Sequence, residues 1–121
     1  MTTQTTPTPG YITIETSAAR ESARIVENAL RLAREMTAPR ILGEAIAPNP
    51  AISPIVDAMR TTVDELAATV RAARLAAKNC EVDPANKTAH YTAAAQARAR
   101  SHVLWLQIVA HDDAIRRTMT D

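Results

Sequence analysis

Residues 56–80 read VDAMRTTVDELAATVRAARLAAKNC. Apolar residues recur in this stretch at alternating steps of three and four positions, namely Val56, Met59, Val63, Leu66, Val70, Ala73, Ala77 and Cys80. Such a heptad seam, sustained for more than three repeats, is typical of a helix that packs against other helices along its whole length. The stretch therefore predicts a helical bundle.

Two Pro-containing signals mark where the long helices begin. Ser53-Pro54 precedes the seam, and Asp83-Pro84 follows it. A Ser or Asp side chain can accept hydrogen bonds from the first free amides of a helix, and Pro fits the first helical position. We expect the second helix at residues 54–79 and the third at residues 84–119, folded back antiparallel on the second through a short turn.

A first helix is predicted upstream, at residues 16–36. Its apolar seam reads Ser22, Ile25, Ala29, Leu32 and Met36, widened by Val26, Leu30 and Ala33. Arginine and glutamate residues occupy the opposite, solvated face. The Pro-rich segment 38–52 is expected to be the connection to the second helix, with a short helical turn inside it.

The whole chain suits one domain. Residues 1–12, rich in Thr and Pro, predict a disordered or extended tail, and residues 13–121 a single helical-bundle domain. The alternation around Tyr11 and Ile12 leaves open an arm that docks on a neighbouring subunit. The predicted fold class is all-α, an antiparallel bundle of three long helices.

The third helix carries the main candidate for an interaction surface. Its predicted seam reads Ala94, Ala97, Ser101, Leu104, Ile108, His111, Ile115 and Met119. Residues 103–109 are apolar on nearly every side, which is more apolar surface than two neighbouring helices cover. The predicted interface consists of Val103, Leu104, Trp105, Ile108 and Val109.

Charge and composition narrow the function classes. Fourteen Lys and Arg residues balance thirteen Asp and Glu residues, and both signs are spread evenly. A nucleic-acid binder usually has a basic face, so the balanced charge argues against nucleic-acid binding. The only residues that support it are four arginines of the third helix, Arg98, Arg100, Arg116 and Arg117. No apolar run reaches membrane-spanning length and no signal peptide is recognisable, so we predict a cytoplasmic protein without a membrane contact. The Arg- and Ala-rich composition suggests an actinobacterial or phage origin.

One histidine offers an alternative with chemistry. Ala89-His90 on a long helix resembles the histidine phosphotransfer domains, which are helical bundles of about this size. The resemblance implies that His90 accepts a phosphoryl group. The family pattern continues with Lys and Gly three and four positions after the histidine, where this chain has Ala93 and Ala94. Without the lysine, the phosphoryl charge lacks its neutralising partner.

Other catalytic or metal sites find little support. His90, His102 and His111 do not share a face of the third helix, and the single Cys80 can form neither a CxxC site nor an internal disulfide. Arginines of the second helix could clamp a carboxylate substrate only with help from other helices, and Gly10 and Gly43 stand alone, so no phosphate-binding loop is present. We predict no metal, no cofactor and no catalytic residue.

The leading hypothesis is therefore a non-catalytic interaction or assembly protein. It would act by self-association or by packing against a helix of a protein partner, as an accessory or structural protein of a phage or mobile element. The alternatives are a histidine phosphotransfer-like protein or another small all-helical enzyme, and a nucleic-acid-binding regulator.

Overall fold

The computed structural model describes residues 13–120, and these form three long helices that all pack against one another. Helix α1 spans Ile14–Ile46, α2 spans Ser53–Val82 and α3 spans Lys87–Thr120. A 3₁₀ turn, Pro84–Asn86, leads into α3. The described chain runs up, down and up, so α1 and α3 are parallel and α2 is antiparallel to both. The predicted all-α three-helix bundle is confirmed, whereas the predicted tail at residues 1–12 lies outside the described residues.

The core of the bundle follows the α2 seam. All eight predicted seam residues are buried. Near the α2–α3 turn the seam is small, with Ala73, Ala77 and Cys80 facing Ala94 and Ala97 of α3 in the main cluster. Side chains without bulk allow helix backbones to approach closely, so this end of the bundle is tight. A second, smaller cluster of Ile52, Val56, Met59 and Ile115 closes the opposite end.

Helix α1 ends ten residues later than predicted, at Ile46 in place of Met36, and this corrects the expected connection. Residues 40–46 are helical, but they continue α1 through Pro39 instead of forming a separate turn. Pro39 removes one helical amide and normally ends a helix. Contacts beyond it compensate, because the Arg40 Nε donates to Asp112 Oδ1 at 3.0 Å and Ile41 packs on the smaller cluster. The true connection is residues 47–52.

The start of α2 also differs from the prediction. Pro54 lies in the first turn as expected, but Ile52 occupies the N-cap position and no side chain caps the helix amides. Ser53 is instead the first helical residue, and its hydroxyl hydrogen-bonds the Glu44 carboxylate. Glu44 also accepts from the Asn49 amide at 3.0 Å. The Ser53 hydroxyl thus links the start of α2 to the last turn of α1.

On α1 and α3, the residues that face the core differ in part from the predicted seams. On α1 the buried line runs through Ala19, Ala23, Val26, Leu30, Ala33 and Thr37. Ile25, Ala29 and Met36 are only partly buried and Leu32 is exposed. Of the predicted α1 residues, the core contains Ser22 and the three that widened the seam, Val26, Leu30 and Ala33. On α3 the predicted seam residues from Ala94 to Ile108 and Ile115 are buried, whereas Asp112 is buried in place of His111, and Met119 is exposed.

Candidate functional site

One side of the bundle, between the parallel helices α1 and α3, carries apolar residues that are exposed or only partly buried. On α3, Ala95, Ala99, His102, Leu106 and Val109 follow one another at alternating steps of four and three positions. This spacing places them on one helix face, which points away from the buried line. Helix α3 therefore carries a second heptad seam on its outer side.

Helix α1 supplies a matching row to the same side. We define the α1–α3 face by its two rows, Ile25, Ala29, Leu32 and Met36 on α1, and Ala99, His102, Trp105, Leu106 and Val109 on α3. The two rows flank a groove of about 450 Å³, whose lining includes Ile25, Leu32, His102 and Trp105. The groove is an open trough between two helices, a shape that accepts the ridge of another helix.

The ionisable side chains that line this groove are basic. Its lining contains Arg98 and His102 but no carboxylate. Within residues 13–120, Arg98 has no carboxylate within ion-pairing distance. Two other polar side chains of the lining are locally bonded, since Asn28 accepts from Arg31 at 2.6 Å and Ser101 donates to the Arg98 carbonyl at 2.6 Å. Arg98 is thus the cation that the fold leaves available at the groove.

The five residues of the predicted interface divide between core and surface. Leu104 and Ile108 are fully buried in the core of the single chain, and Trp105 is partly buried against it. Only Val103 and Val109 are exposed. Within the single chain, α3 faces the other two helices on one side only, so Val103, Leu106 and Val109 remain exposed.

Leu106 was not among the predicted interface residues, although it is the most exposed large hydrophobic residue of the α1–α3 face, at 53%. The signal that identifies it is the second heptad seam, which becomes visible once the inner seam is assigned. Leu32, exposed on α1, is the corresponding residue of the other row. These two leucines extend the apolar surface well beyond the predicted set.

His90, the candidate phosphoacceptor, lies at the α2–α3 turn and is already bonded. Its Nε2 lies 2.9 Å from Asp83 Oδ2, and its side chain is only 22% exposed. Asn86 donates to the same carboxylate oxygen at 3.0 Å. The hydrogen bonds from His90 and then Asn86 hold the pKa of Asp83 below its usual range. In this geometry His90 acts as a clasp of the turn, and its Nε2 is not open to a phosphodonor while the bond to Asp83 is made.

The other candidate groups do not converge. Arg100 pairs with Glu65, Arg116 with Asp112 and Arg117 with Asp113, so the proposed nucleic-acid set is largely neutralised. Arg74 pairs with Glu27, and this hydrogen bond lowers the pKa of Glu27 and raises that of Arg74. Within the described residues, no three metal-ligating side chains cluster.

Cys80 is a packing residue in this fold. The thiol is 1% exposed in the main cluster, and burial raises its pKa. A raised pKa keeps the sulfur protonated and poorly nucleophilic at neutral pH. This agrees with its place at the end of the α2 seam.

Comparisons with known proteins add no relative to this picture. No protein-family model matches the sequence, and neither the curated proteins nor the solved structures give a significant match. None of the helices between residues 13 and 120 combines the length and apolar character needed to cross a bilayer.

Proposed function

We propose that this protein is a helical assembly protein that associates through the α1–α3 face, with self-association as its primary mode. The observation that carries the proposal is the second heptad seam of α3, which repeats the spacing of a helix-packing surface on the side that the core does not use. Two heptad seams on different sides of one helix, each made mainly of apolar residues, are expected where the helix has neighbours on both sides.

The geometry of the bundle supports a helical partner. In an up-down-up-down four-helix bundle, a fourth helix would lie between α1 and α3, opposite α2. The α1–α3 face occupies that position, and it offers Leu32 and Leu106 as exposed leucines on its two rows. Covering these side chains removes apolar area from water, which is the main driving force for helix association.

The charge pattern favours this proposal over the two alternatives. A nucleic-acid partner would need a row of available cations, but the α3 arginines other than Arg98 are paired with carboxylates. A phosphotransfer role would need His90 free of its bond to Asp83. An assembly role also fits the phage or mobile-element origin suggested by the composition.

Light scattering over a concentration series tests the proposal. The average molecular mass of the wild-type protein should increase with concentration. The Leu106→Glu variant should stay at the monomer mass, because the substitution places a charge within the outer seam. The matched control is Leu75→Glu on the far side of α2, where the leucine is 59% exposed. The control should leave the mass unchanged. A wild-type chain that stays monomeric, or equal behaviour of both variants, would contradict the proposal.

A further inference from the structure

We infer that the occupant of the α1–α3 face is a second copy of this chain, docked with its α3 antiparallel about a two-fold axis that passes between Trp105 and Leu106. In this arrangement Arg98 of one protomer pairs with Asp113 of the other. The inference rests on the proposed function and specifies its partner and register.

The charges along the outer side of α3 form a self-complementary pattern. Apart from His102, the middle of the α3 row is apolar, with Trp105, Leu106 and Val109. Arg98, which pairs with no carboxylate among residues 13–120, lies toward the N-terminal end. Asp113 lies toward the C-terminal end, where its side chain is 43% exposed and, within the described chain, forms an ion pair only with the highly exposed Arg117. Both Arg98 and Asp113 are 7.5 positions, or about 11 Å, from the midpoint between Trp105 and Leu106.

This equal spacing selects the antiparallel orientation. A two-fold axis at the midpoint brings each residue opposite the one equally far on the other side, so Arg98 meets the partner's Asp113 twice in one dimer. The same operation places His102 opposite the partner's Val109. A parallel pairing in register would instead set Arg98 against Arg98 and Asp113 against Asp113, and like charges in direct opposition disfavour a pairing.

Helix α1 supports the same axis. Arg40 of α1 bonds Asp112 of α3, and Leu32 and Leu104 each lie eight positions before these residues. Because the two helices are parallel, Leu32 lies close to the level of the axis. A two-fold axis at that level brings Leu32 toward the partner's Leu32, next to Trp105. The two parallel helices of each protomer would then form a four-helix interface in which apolar residues occupy the centre and the charged pairs its two ends.

The charges are expected to choose the register, while the apolar centre supplies most of the affinity. Ion pairs at the rim of an interface contribute little individually, but opposing like charges discriminate between orientations. The test is therefore a charge swap. Arg98→Glu and Asp113→Lys should each raise the dissociation constant of the dimer about tenfold, since each creates two like-charge pairs per dimer. The double variant should return to within about twofold of the wild type.

Sedimentation equilibrium at low salt measures these constants, and circular dichroism checks that each variant keeps its helix content. Lys78→Glu on α2 is the control for net charge, and it should leave the dissociation constant unchanged. A double variant as weak as the single variants would overturn the antiparallel register, and so would a loss confined to Arg98→Glu. If Leu106→Glu dissociates the assembly but no charge variant has an effect, the register is wrong while the proposed function stands. A wild-type chain without any association would overturn both.

Discussion

Arg40 and Asp112 join the far end of α1 to α3. The Arg40 Nε donates to Asp112 Oδ1 at 3.0 Å, and Arg116 donates to the other carboxylate oxygen at 2.8 Å. The Asp112 side chain is 10% exposed, so these two guanidinium groups replace most of its hydration. A carboxylate buried to this extent is stable only while its partners are in place.

Removal of the Asp112 carboxylate should therefore destabilise the fold. We expect Asp112→Ala to lower the free energy of unfolding by about 2 kcal/mol, because Arg40 is left partly buried without its acceptor. The matched control is Glu65→Ala, which breaks the half-exposed pair with Arg100 and should cost less than about 1 kcal/mol. Urea unfolding followed by circular dichroism measures both values. Equal losses in the two variants would show that burial of Asp112 has no special weight.

Pro39 offers a test in the opposite direction. It lies inside α1, where it lacks the amide that would bond the preceding turn. We expect Pro39→Ala to raise the free energy of unfolding by about 2 kcal/mol, since alanine restores the hydrogen bond and the helix propensity but loses the restriction that proline imposes on the unfolded chain. Thermal unfolding measures the change. A lower melting temperature would mean that the proline bend positions residues 40–46 for their contacts.

The centre of the α2 seam should be the most sensitive part of the core. Leu66 is 0% exposed in the main cluster, and Leu66→Ala should cost about 3 kcal/mol through lost burial and the cavity left behind. Leu75→Ala on the exposed side of the same helix is the control, with an expected change within about 0.5 kcal/mol. Chemical unfolding compares the two. A small effect at Leu66 would mean that the neighbouring helices collapse into the space.

The α2–α3 turn should weaken in acid. Because the pKa of Asp83 is lowered in the folded state, its contribution to stability is fully present above its ordinary value near 4 and is lost as pH falls through the lowered pKa. The melting temperature of Asp83→Asn should therefore fall less than that of the wild type when the pH is lowered from about 6 to about 3.

Asp64→Asn is the matched control for this acid response, since Asp64 is exposed on α2 and, within the described part of the chain, takes part in no ion pair. It should follow the wild-type pH profile. An Asp83→Asn profile identical to that of the wild type would exclude the clasp with His90 as a source of acid sensitivity.

The core-facing side of α2 was predicted well from the sequence, because only one face of this helix carries a continuous apolar seam. Small and large apolar residues repeat on a single face there, and all of them are buried. Helix α1 was harder, since Ile25 and Leu32 form as good a seam as Val26 and Leu30, and only packing against both neighbours decides which row turns inward. The extension through Pro39 was not predictable from local signals, because the contacts of Arg40 and Ile41 that stabilise it are distant in sequence.

The candidate site depended on the same ambiguity. Trp105 and Val109 were predicted to take part in an interface, but Leu106 was not, because a helix with two apolar seams does not reveal from its sequence which one the chain itself covers. His90 illustrates the converse limit. Its bond to Asp83 depends on the geometry of the turn between two helices, and the resemblance to phosphotransfer domains carried no information about that neighbour.

The division of the core into two clusters has a consequence for motion. Pro39 interrupts the hydrogen-bond ladder of α1 near the boundary between them, and the residues beyond it depend on Arg40, Ile41 and Glu44 for their attachment. Segments with few buried contacts open locally without global unfolding. Residues 40–52 should thus exchange their amide hydrogens through a local opening that leaves the main cluster closed. The end of the bundle that contains residues 40–52 would therefore open and close, while the alanine-rich end near the α2–α3 turn stays folded.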